Sequence, residues 1–207
     1  MNKQAVKGEY GYIQRQKRVR FLRTLLSFSL PIVIFIIGLV VNNGNNQSIY
    51  TVIAMVGCIP ACLALVSLIM MLLRRPMDQA LYEEVAAHMG DLECAYELYL
   101  TTYDKNLFLD AVAFCGDYVM AYTHEKLNRT DLEQMEEHIR KVYRGQNYKA
   151  TVKIYDQKKS FLERLDTMCE KKADYEAMAA EHFRPYEAYP DLSKAEVLKH
   201  LMMAVSL

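Results

Sequence analysis

Cysteine and histidine are the side chains best suited to hold a metal ion or to act as nucleophile and base, and the chain has five of each. None shows the Cys-x-x-Cys or Cys/His spacing of a zinc site or a disulfide framework. An odd number of isolated cysteines is typical of a reducing compartment. We interpret most of the histidines as solvated surface rather than as metal ligands. These residues are Cys58, Cys62, Cys94, Cys115, Cys169, His88, His124, His138, His182 and His200.

Other catalytic motifs are missing from the sequence. No serine stands in a Gly-x-Ser-x-Gly motif, and there is no glycine-rich phosphate loop. The chain has 15 tyrosines and no tryptophan. Several tyrosines fall in predicted strands, where aromatic packing is the ordinary explanation, although an exposed tyrosine face would indicate a protein-binding surface. The sequence predicts no cofactor.

Charge divides the chain into three parts. Seven basic residues and one acidic residue precede Thr24, and no Asp, Glu, Lys or Arg occurs from Thr24 to Leu73. From Pro76 onward, 16 basic and 24 acidic residues give a net charge of −8. We therefore predict a basic cytoplasmic N-terminal arm (1–23), a transmembrane hairpin (24–73) and a cytoplasmic domain (76–207).

Two uncharged runs, 24–41 and 49–73, are long enough to cross a bilayer as helices. At about 1.5 Å per residue, the first spans roughly 27 Å, close to a ~30 Å hydrocarbon core. The polar segment 42–48 between them predicts a tight turn and hence antiparallel neighbours. A cleaved signal peptide is an alternative for the first run, but it has no clear small-x-small cleavage site and a second apolar run follows at once. A buried hairpin of a soluble protein is a further alternative.

The basic residues that flank the two runs predict the orientation of the hairpin. Four precede the first run, two follow the second, and none lies in the turn, so both termini should be cytoplasmic at the plasma membrane. Segment 11–20 is either a simple positive anchor or an amphipathic helix on anionic headgroups. The flanking residues are Lys17, Arg18, Arg20, Arg23, Arg74 and Arg75.

A proline lies inside each run, Pro31 in the first and Pro60 in the second. Because Gly57 is near Pro60, we favour a tolerated kink with close helix packing over a broken helix that lines a pathway. The lack of intramembrane charge argues against an ion relay within one chain. An oligomeric pore lined by Ser67, Thr51 or the Pro60 region remains an alternative hypothesis.

The tail has the pattern of an α+β domain: helix, three strands, helix, strand, helix and a C-terminal helix. Tyr96, Leu98 and Leu100 are expected on one face of the first strand, and the second strand is expected to be central and buried. The predicted helices are 77–89, 131–144, 157–172 and 193–205, and the predicted strands are 93–102, 107–115, 118–123 and 148–155.

Short motifs mark the ends of several of these elements. Gly116-Asp117 predicts a two-residue turn of type II′ between the second and third strands. Thr130 with Glu133, and Ser193 with Glu196, each have the spacing of a capping box at a helix start. Segments 103–106 and 183–190 are expected to be a turn and an irregular connection.

Residues Leu109 to Thr123 (LDAVAFCGDYVMAYT) place an aspartate on a strand, a turn through glycine and a returning strand. This order resembles the core of the restriction-endonuclease-like fold, and specifically the nuclease-related domain of some membrane-anchored bacterial proteins. The whole layout also resembles two-pass bacterial membrane proteins. The first resemblance covers about 80 residues of the tail. It implies that Asp110 takes the place of the family's metal-binding aspartate and that Glu84 matches its helical glutamate.

The third strand departs from that family because its Glu-x-Lys is missing. The strand ends with Glu125 next to Lys126. Neighbours on a strand point to opposite faces, so these two side chains reach one metal site only if a bulge intervenes. The net charge of the tail also makes nucleic acid an unfavourable partner. Asp110 fits a hydrogen-bonded structural carboxylate equally well.

Three functions remain as hypotheses. The leading one is a membrane-anchored, non-enzymatic cytoplasmic domain that binds a protein partner or forms a homo-oligomer. The second is a divergent metal-dependent nuclease or hydrolase that uses Glu84, Asp110 and Glu125. The third is an oligomeric channel or an accessory subunit of a transporter.

Overall fold

The architecture was obtained as a computed structural model, which describes residues 6–43, 49–101, 106–185 and 191–206. Two long apolar helices precede a four-stranded sheet with helices, and the order of elements matches the predicted one except that a separate helix, α6, lies between α5 and the C-terminal helix. The predicted segments 42–48, 103–106 and 183–190 lie partly outside the described residues. The elements are α1 (Tyr12–Val41), α2 (Ile49–Leu72), α3 (Gln79–Met89), β1 (Glu93–Thr101), β2 (Asn106–Cys115), β3 (Tyr118–Tyr122), α4 (Arg129–Gly145), β4 (Thr151–Tyr155), α5 (Lys158–Glu170), α6 (Lys172–Ala180) and α7 (Lys194–Val205).

The chain forms two compact units, one of residues 11–76 and one of residues 1–10 with 77–207. The predicted N-terminal arm (1–23) is therefore divided between the units, because α1 already begins at Tyr12 and carries the basic segment as its first turns. Residues before α1 pack on the second unit: the Gly8 carbonyl accepts a hydrogen bond of 2.8 Å from the Tyr96 amide. The Tyr10 ring stacks on Tyr82 with centroids 4.0 Å apart.

Helices α1 and α2 pack along a seam of mostly small residues. Three buried positions on each helix recur every seven residues, which keeps one narrow stripe of each helix against the other; Ile13 and Met71 are buried outside this spacing. An ideal Cβ built on Gly57 would lie 3.4 Å from the Pro31 side chain, so the helices are close at this level. The seam positions are Thr24, Pro31 and Gly38 on α1 and Ala54, Ala61 and Leu68 on α2.

The sheet has the strand order β1-β2-β3-β4. Strands β1, β2 and β3 are antiparallel neighbours, and β4 joins β3 in parallel after the crossover through α4. Cys115 pairs with Tyr118, so Gly116 and Asp117 form the predicted two-residue turn. Gly116 has φ of 53°, whereas φ of Asp117 is not positive, which suits a type II′ turn.

The side chains of β1 do not alternate regularly between the two faces of the sheet along the whole strand. The prediction that Tyr96, Leu98 and Leu100 lie on one face was therefore wrong. Glu97 adopts a left-handed φ of 54°, which reverses the side of the sheet on which the next side chains point. Tyr96 therefore packs in one hydrophobic cluster, while Leu98 and Leu100 pack in the other. Opposite them, Leu109 and Ala111 of β2 also lie in different clusters.

Both faces of the sheet are covered, so β2 is almost entirely buried, as its apolar sequence predicts. Helices α4 and α7 cover one face, and α3 and α5 cover the other. On α4 the buried residues are Met135, Glu136, Ile139 and Tyr143.

The two predicted capping boxes had different outcomes. Ser193 accepts from the Glu196 amide while the Glu196 carboxylate accepts from the Ser193 amide, so this box is confirmed at the start of α7. Helix α4 instead begins at Arg129 after Asn128, which places Thr130 inside the helix. Glu133 pairs with Arg129 rather than with the backbone, so the prediction of a box there was wrong.

Candidate functional site

Asp110 lies on the central strand β2 and is only 1% exposed. One carboxylate oxygen accepts a hydrogen bond of 2.8 Å from the backbone amide of His124. The same carboxylate contacts Nδ1 of the His124 ring at 2.8 Å and 3.0 Å. The imidazole is thus held through Nδ1, while its side chain is 41% exposed just beyond the end of β3.

The electrostatics of Asp110 are set mainly by its position in the sheet. Burial raises the pKa of its carboxyl above the ordinary value of 3.8, and the hydrogen bonds and charge of His124 lower it in part. Burial also raises the pKa of Tyr122, with a further increase from the nearby Asp110. A buried carboxylate that orients an imidazole is an arrangement found in general-base catalysis, and it is equally a way to fix a chain reversal.

Glu84, the second predicted site residue, lies on α3. Its carboxylate accepts a hydrogen bond of 2.6 Å from the ammonium of Lys158 at the start of α5. The hydrogen bond and charge of Glu84 raise the pKa of Lys158. Both side chains are about half exposed, so the pair joins α3 to α5 at the surface. The charges of Asp110 and Glu84 both raise the pKa of Tyr122, in addition to the larger effect of burial.

Glu125, the third predicted site residue, follows β3 in a bend and not in a strand. Its backbone amide donates to the hydroxyl of Thr123 at 3.2 Å. No group of three or more His, Cys, Asp or Glu side chains within the described residues is placed to hold a metal ion. The structure therefore brings Asp110 together with His124, a partner that the sequence did not identify.

Glu136 is a buried carboxylate that the sequence analysis missed, because it occupies the apolar side of an otherwise charged helix. One oxygen accepts from the Ile154 amide at 3.0 Å and lies 3.1 Å from the Lys153 ammonium. The other accepts from Arg140 at 2.9 Å. Each oxygen is paired, so Glu136 holds α4 against β4, and this geometry indicates a structural role.

Of the five cysteines, Cys115 is buried, Cys58, Cys94 and Cys169 are partly buried, and Cys62 is exposed. Burial raises the pKa of the Cys115 thiol to about 11, so it stays protonated and unreactive at neutral pH. Cys169 contacts the carbonyl oxygens of His88 and Met89. Tyrosine rings contact other rings on both faces of the sheet, as the packing interpretation predicts.

A cleft of about 1100 Å³ lies at the end of the sheet where β4 begins. It is lined by the β2–β3 turn, the connection from α4 into β4, the segment after α6 and the first residue of α7. Its basic side chains come from three separate segments, which is why no local sequence pattern could reveal it. The lining residues are Asp117, Gln146, Asn147, Tyr148, Lys149, His182, Phe183, Arg184, Pro185 and Lys194.

Helices α1 and α2 are each long and apolar enough to cross a membrane, and only 17% of each apolar window is buried. Their polar side chains bond to the backbone of the facing helix at one end. Lys17 donates to the Leu72 and Arg74 carbonyls, Arg20 to the hydroxyl and carbonyl of Ser67, and the Thr24 hydroxyl to the Ala64 carbonyl.

The residues predicted to line a pore have different surroundings in the hairpin. Pro60 is exposed on the outside of α2, and Ser67 is bonded to Arg20. Pro31 instead occupies the seam opposite Gly57. The pore hypothesis stays a prediction about an assembly of several chains.

The chain matches no protein-family model, no curated protein and no solved structure.

Proposed function

We propose that this is a two-pass membrane protein whose α+β domain lies in the cytoplasm and acts by binding a protein partner or a second copy of the chain. The observation that carries the proposal is the outward orientation of the apolar side chains on α1 and α2. Nearly every large apolar side chain that is exposed in the described residues belongs to these two helices. In water that apolar surface would strongly favour aggregation, whereas in a bilayer the lipid chains solvate it.

The polar groups of the hairpin support the same placement. Backbone groups in a hydrocarbon core need partners within the protein. Lys17 and Arg20 donate hydrogen bonds to carbonyls in the last turns of α2. These bonds lie at the basic end of the hairpin. The basic flanks at this end and the uncharged turn at the other support a cytoplasmic position for both termini.

The binding role rests on the soluble part. Its candidate carboxylates are committed to neighbours within the fold: Glu84 to Lys158, Asp110 to His124 and Glu136 to Arg140. The net charge of −8 from Pro76 onward disfavours nucleic acid and an anionic bilayer surface as partners. A protein surface of opposite charge is the partner class that this composition suits best.

The topology can be tested with single cysteines in the full chain, after the five native cysteines have been replaced by alanine. Ser48→Cys is expected to react with a membrane-impermeant maleimide on intact cells. Lys159→Cys, on α5, is expected to react only after permeabilisation. Labelling in the opposite pattern would reverse the proposed orientation, and extraction of the chain by alkaline carbonate would refute the anchor.

The binding role can be tested by photo-crosslinking in native membranes. A crosslinker at Met178, an exposed apolar residue of α6, should give one discrete adduct with a protein or with a second copy. Lys159 provides a control position because its side chain is also highly exposed, in the neighbouring helix. A chain that stays free of protein adducts from both positions and from others around the domain would contradict the proposal.

A second candidate, a divergent metal-dependent hydrolase, is favoured by one specific observation. Asp110 holds His124 through Nδ1 and leaves the other ring nitrogen directed away from the carboxylate. Calorimetric titration of the full chain in detergent with Mn²⁺ tests it, alongside Asp110→Asn. Saturable binding that the variant loses would favour the hydrolase, whereas no binding up to millimolar metal would remove it.

A further inference from the structure

The cleft beside β4 concentrates positive charge within an acidic domain. Three of its lining residues, Lys149, Arg184 and Lys194, are basic, and one, Asp117, is acidic. The cleft therefore carries two positive charges in excess before His182 is considered. The chain from Pro76 onward has a net charge of −8, so this local sign is opposite to that of the domain around it.

Some charged side chains of the cleft form an ion pair with each other, and others do not. Lys194 is 8% exposed, and its ammonium pairs with the Asp117 carboxylate. Lys149 and Arg184 are exposed and form no ion pair among the described residues. The Asp117 carboxylate is thus paired with Lys194, and the side chains of Lys149 and Arg184 remain available to a ligand.

The backbone around these cations is held by the fold. The buried Tyr148 donates its hydroxyl to the Arg184 carbonyl at 3.2 Å, and its ring lies 6.3 Å from that of Phe183. The Thr151 amide donates to the Asp117 carbonyl at 2.7 Å. These contacts tie the segment after α6 and the β2–β3 turn to the start of β4. The basic side chains are therefore presented from anchored backbone, which lowers the entropy lost when a ligand binds.

We propose that this cleft binds a ligand that carries a phosphate group. A guanidinium offers two parallel donors to the oxygens of a phosphate, and an ammonium adds a compact charge. Arg184 and Lys149 supply this pair, and Gln146 and Asn147, which also line the cleft, carry neutral side-chain amide donors. The excess of two positive charges matches a phosphate monoester, which carries nearly two negative charges at neutral pH.

The volume indicates that phosphate is part of a larger ligand. Small-molecule sites commonly have volumes of about 300–1,000 Å³, and this cleft, at about 1100 Å³, is larger than a single phosphate requires. The half-buried ring of Phe183 gives an apolar wall for the rest of the molecule. A soluble phosphorylated metabolite and a phosphorylated lipid headgroup share this chemistry.

The test uses the full chain in nanodiscs of neutral phosphatidylcholine, titrated with inorganic phosphate and with a soluble phosphate monoester. Saturable binding is expected, and Arg184→Glu and Lys149→Glu are each expected to weaken it by about tenfold or more, equivalent to about 1.4 kcal/mol. Lys159→Glu is the matched control, since it makes the same charge change at an exposed position outside the cleft and should leave the affinity within about twofold of wild type.

A second arm separates the two sources of phosphate. Nanodiscs that contain a phosphoinositide should compete with the soluble probe if a lipid headgroup is the ligand, and should leave its affinity unchanged if a soluble molecule is. Either result is compatible with the site. The proposal is overturned if neither probe binds up to about 10 mM, or if Arg184→Glu and Lys149→Glu, folded as judged by circular dichroism, bind as tightly as Lys159→Glu.

Discussion

The hairpin of α1 and α2 and the α+β unit bury different kinds of residue for the same physical reason. In the hairpin, the buried seam is small and uncharged, and the basic side chains at its end bond to the backbone of the facing helix. In the α+β unit, carboxylates such as Asp110 and Glu136 are buried, each with backbone and side-chain donors. A buried polar group is tolerated where the fold supplies its partners, as for Thr24 in the hairpin and for Asp110 and Glu136 in the α+β unit.

The largest expected effect comes from placing one charge on each region's exposed surface. Ile59 on α2 and Met178 on α6 are almost equally exposed, at 61% and 60%. In a bilayer, Ile59→Lys should cost about 3–4 kcal/mol of insertion free energy, whereas Met178→Lys, in water, should cost almost nothing. The fraction of chain recovered in carbonate-washed membranes measures this. Equal recovery of the two variants would mean that α2 does not face lipid.

Removal of Glu136 tests the importance of paired buried charge in the α+β unit. Glu136→Ala leaves the Ile154 amide without its acceptor and Arg140 and Lys153 without a shared carboxylate. We expect a loss of about 2–3 kcal/mol in the free energy of unfolding, somewhat below the usual range for a broken buried pair because both cations reach water. Denaturant unfolding of the full chain in detergent measures it.

Glu137→Ala is the control for that experiment. Glu137 is the next residue of α4, and it pairs with Arg140 and Arg144 at the surface. Its removal should cost less than about 1 kcal/mol. Similar losses for the two variants would show that burial of Glu136 does not determine its contribution.

Asp110 makes a smaller and pH-dependent contribution. Asp110→Ala should destabilise the fold by about 1–3 kcal/mol, because the part-buried His124 amide loses its acceptor, and Asp110→Asn should cost less. Since burial raises the pKa of Asp110 above 3.8, the folded state binds this proton more tightly than the unfolded state. The contribution is fully present below the unfolded pKa and is lost as pH rises through the folded pKa.

Unfolding measured from pH 3.5 to 7 on wild type and Asp110→Asn isolates this contribution. The stability of wild type relative to the variant should fall as pH rises across that range. A rise instead would mean that the pairing with His124 outweighs burial and that the folded pKa of Asp110 is lowered.

A bulky residue in the small seam should separate the helices of the hairpin. Gly57→Leu places a branched side chain where an added Cβ is already 3.4 Å from Pro31, and overpacking of this kind costs about 1–2 kcal/mol. Met55→Leu, at an exposed position of the same helix, should be neutral. Disulfide formation between cysteines placed at Thr24 and Ala64 reports the helix contact. Unchanged crosslinking in Gly57→Leu would show that the seam does not determine the packing.

The two motifs with capping-box spacing provide the smallest and most local comparison. Ser193→Ala should cost about 1 kcal/mol, since it removes an acceptor for an amide at the start of α7. Thr130→Ala should cost almost nothing, because Thr130 already lies inside α4. Thermal unfolding of the two variants measures the difference, and a larger loss for Thr130→Ala would contradict the observed start of α4.

Local pattern in the sequence determined the elements of this protein. Uncharged runs, apolar periodicity, the Gly116-Asp117 turn and the Ser193–Glu196 spacing act over a few residues, so they predicted two long helices and the order of strands and helices that followed. The same signals placed the start of α4 two residues too late, because Asn128 and Thr130 are both residues that favour a helix start.

Only the tertiary structure decided which side chains meet. His124 reaches Asp110, and Glu136 reaches Lys153 and Ile154, through pairing between strands and helices that no local pattern encodes. The reversal of β1 at Glu97 arises because that residue adopts a left-handed φ, a conformation that its amino-acid type does not predict. The basic cleft likewise exists because three distant segments converge at the start of β4. Side-chain contacts of this kind depend on the whole path of the chain, whereas helices and turns depend mainly on neighbours in sequence.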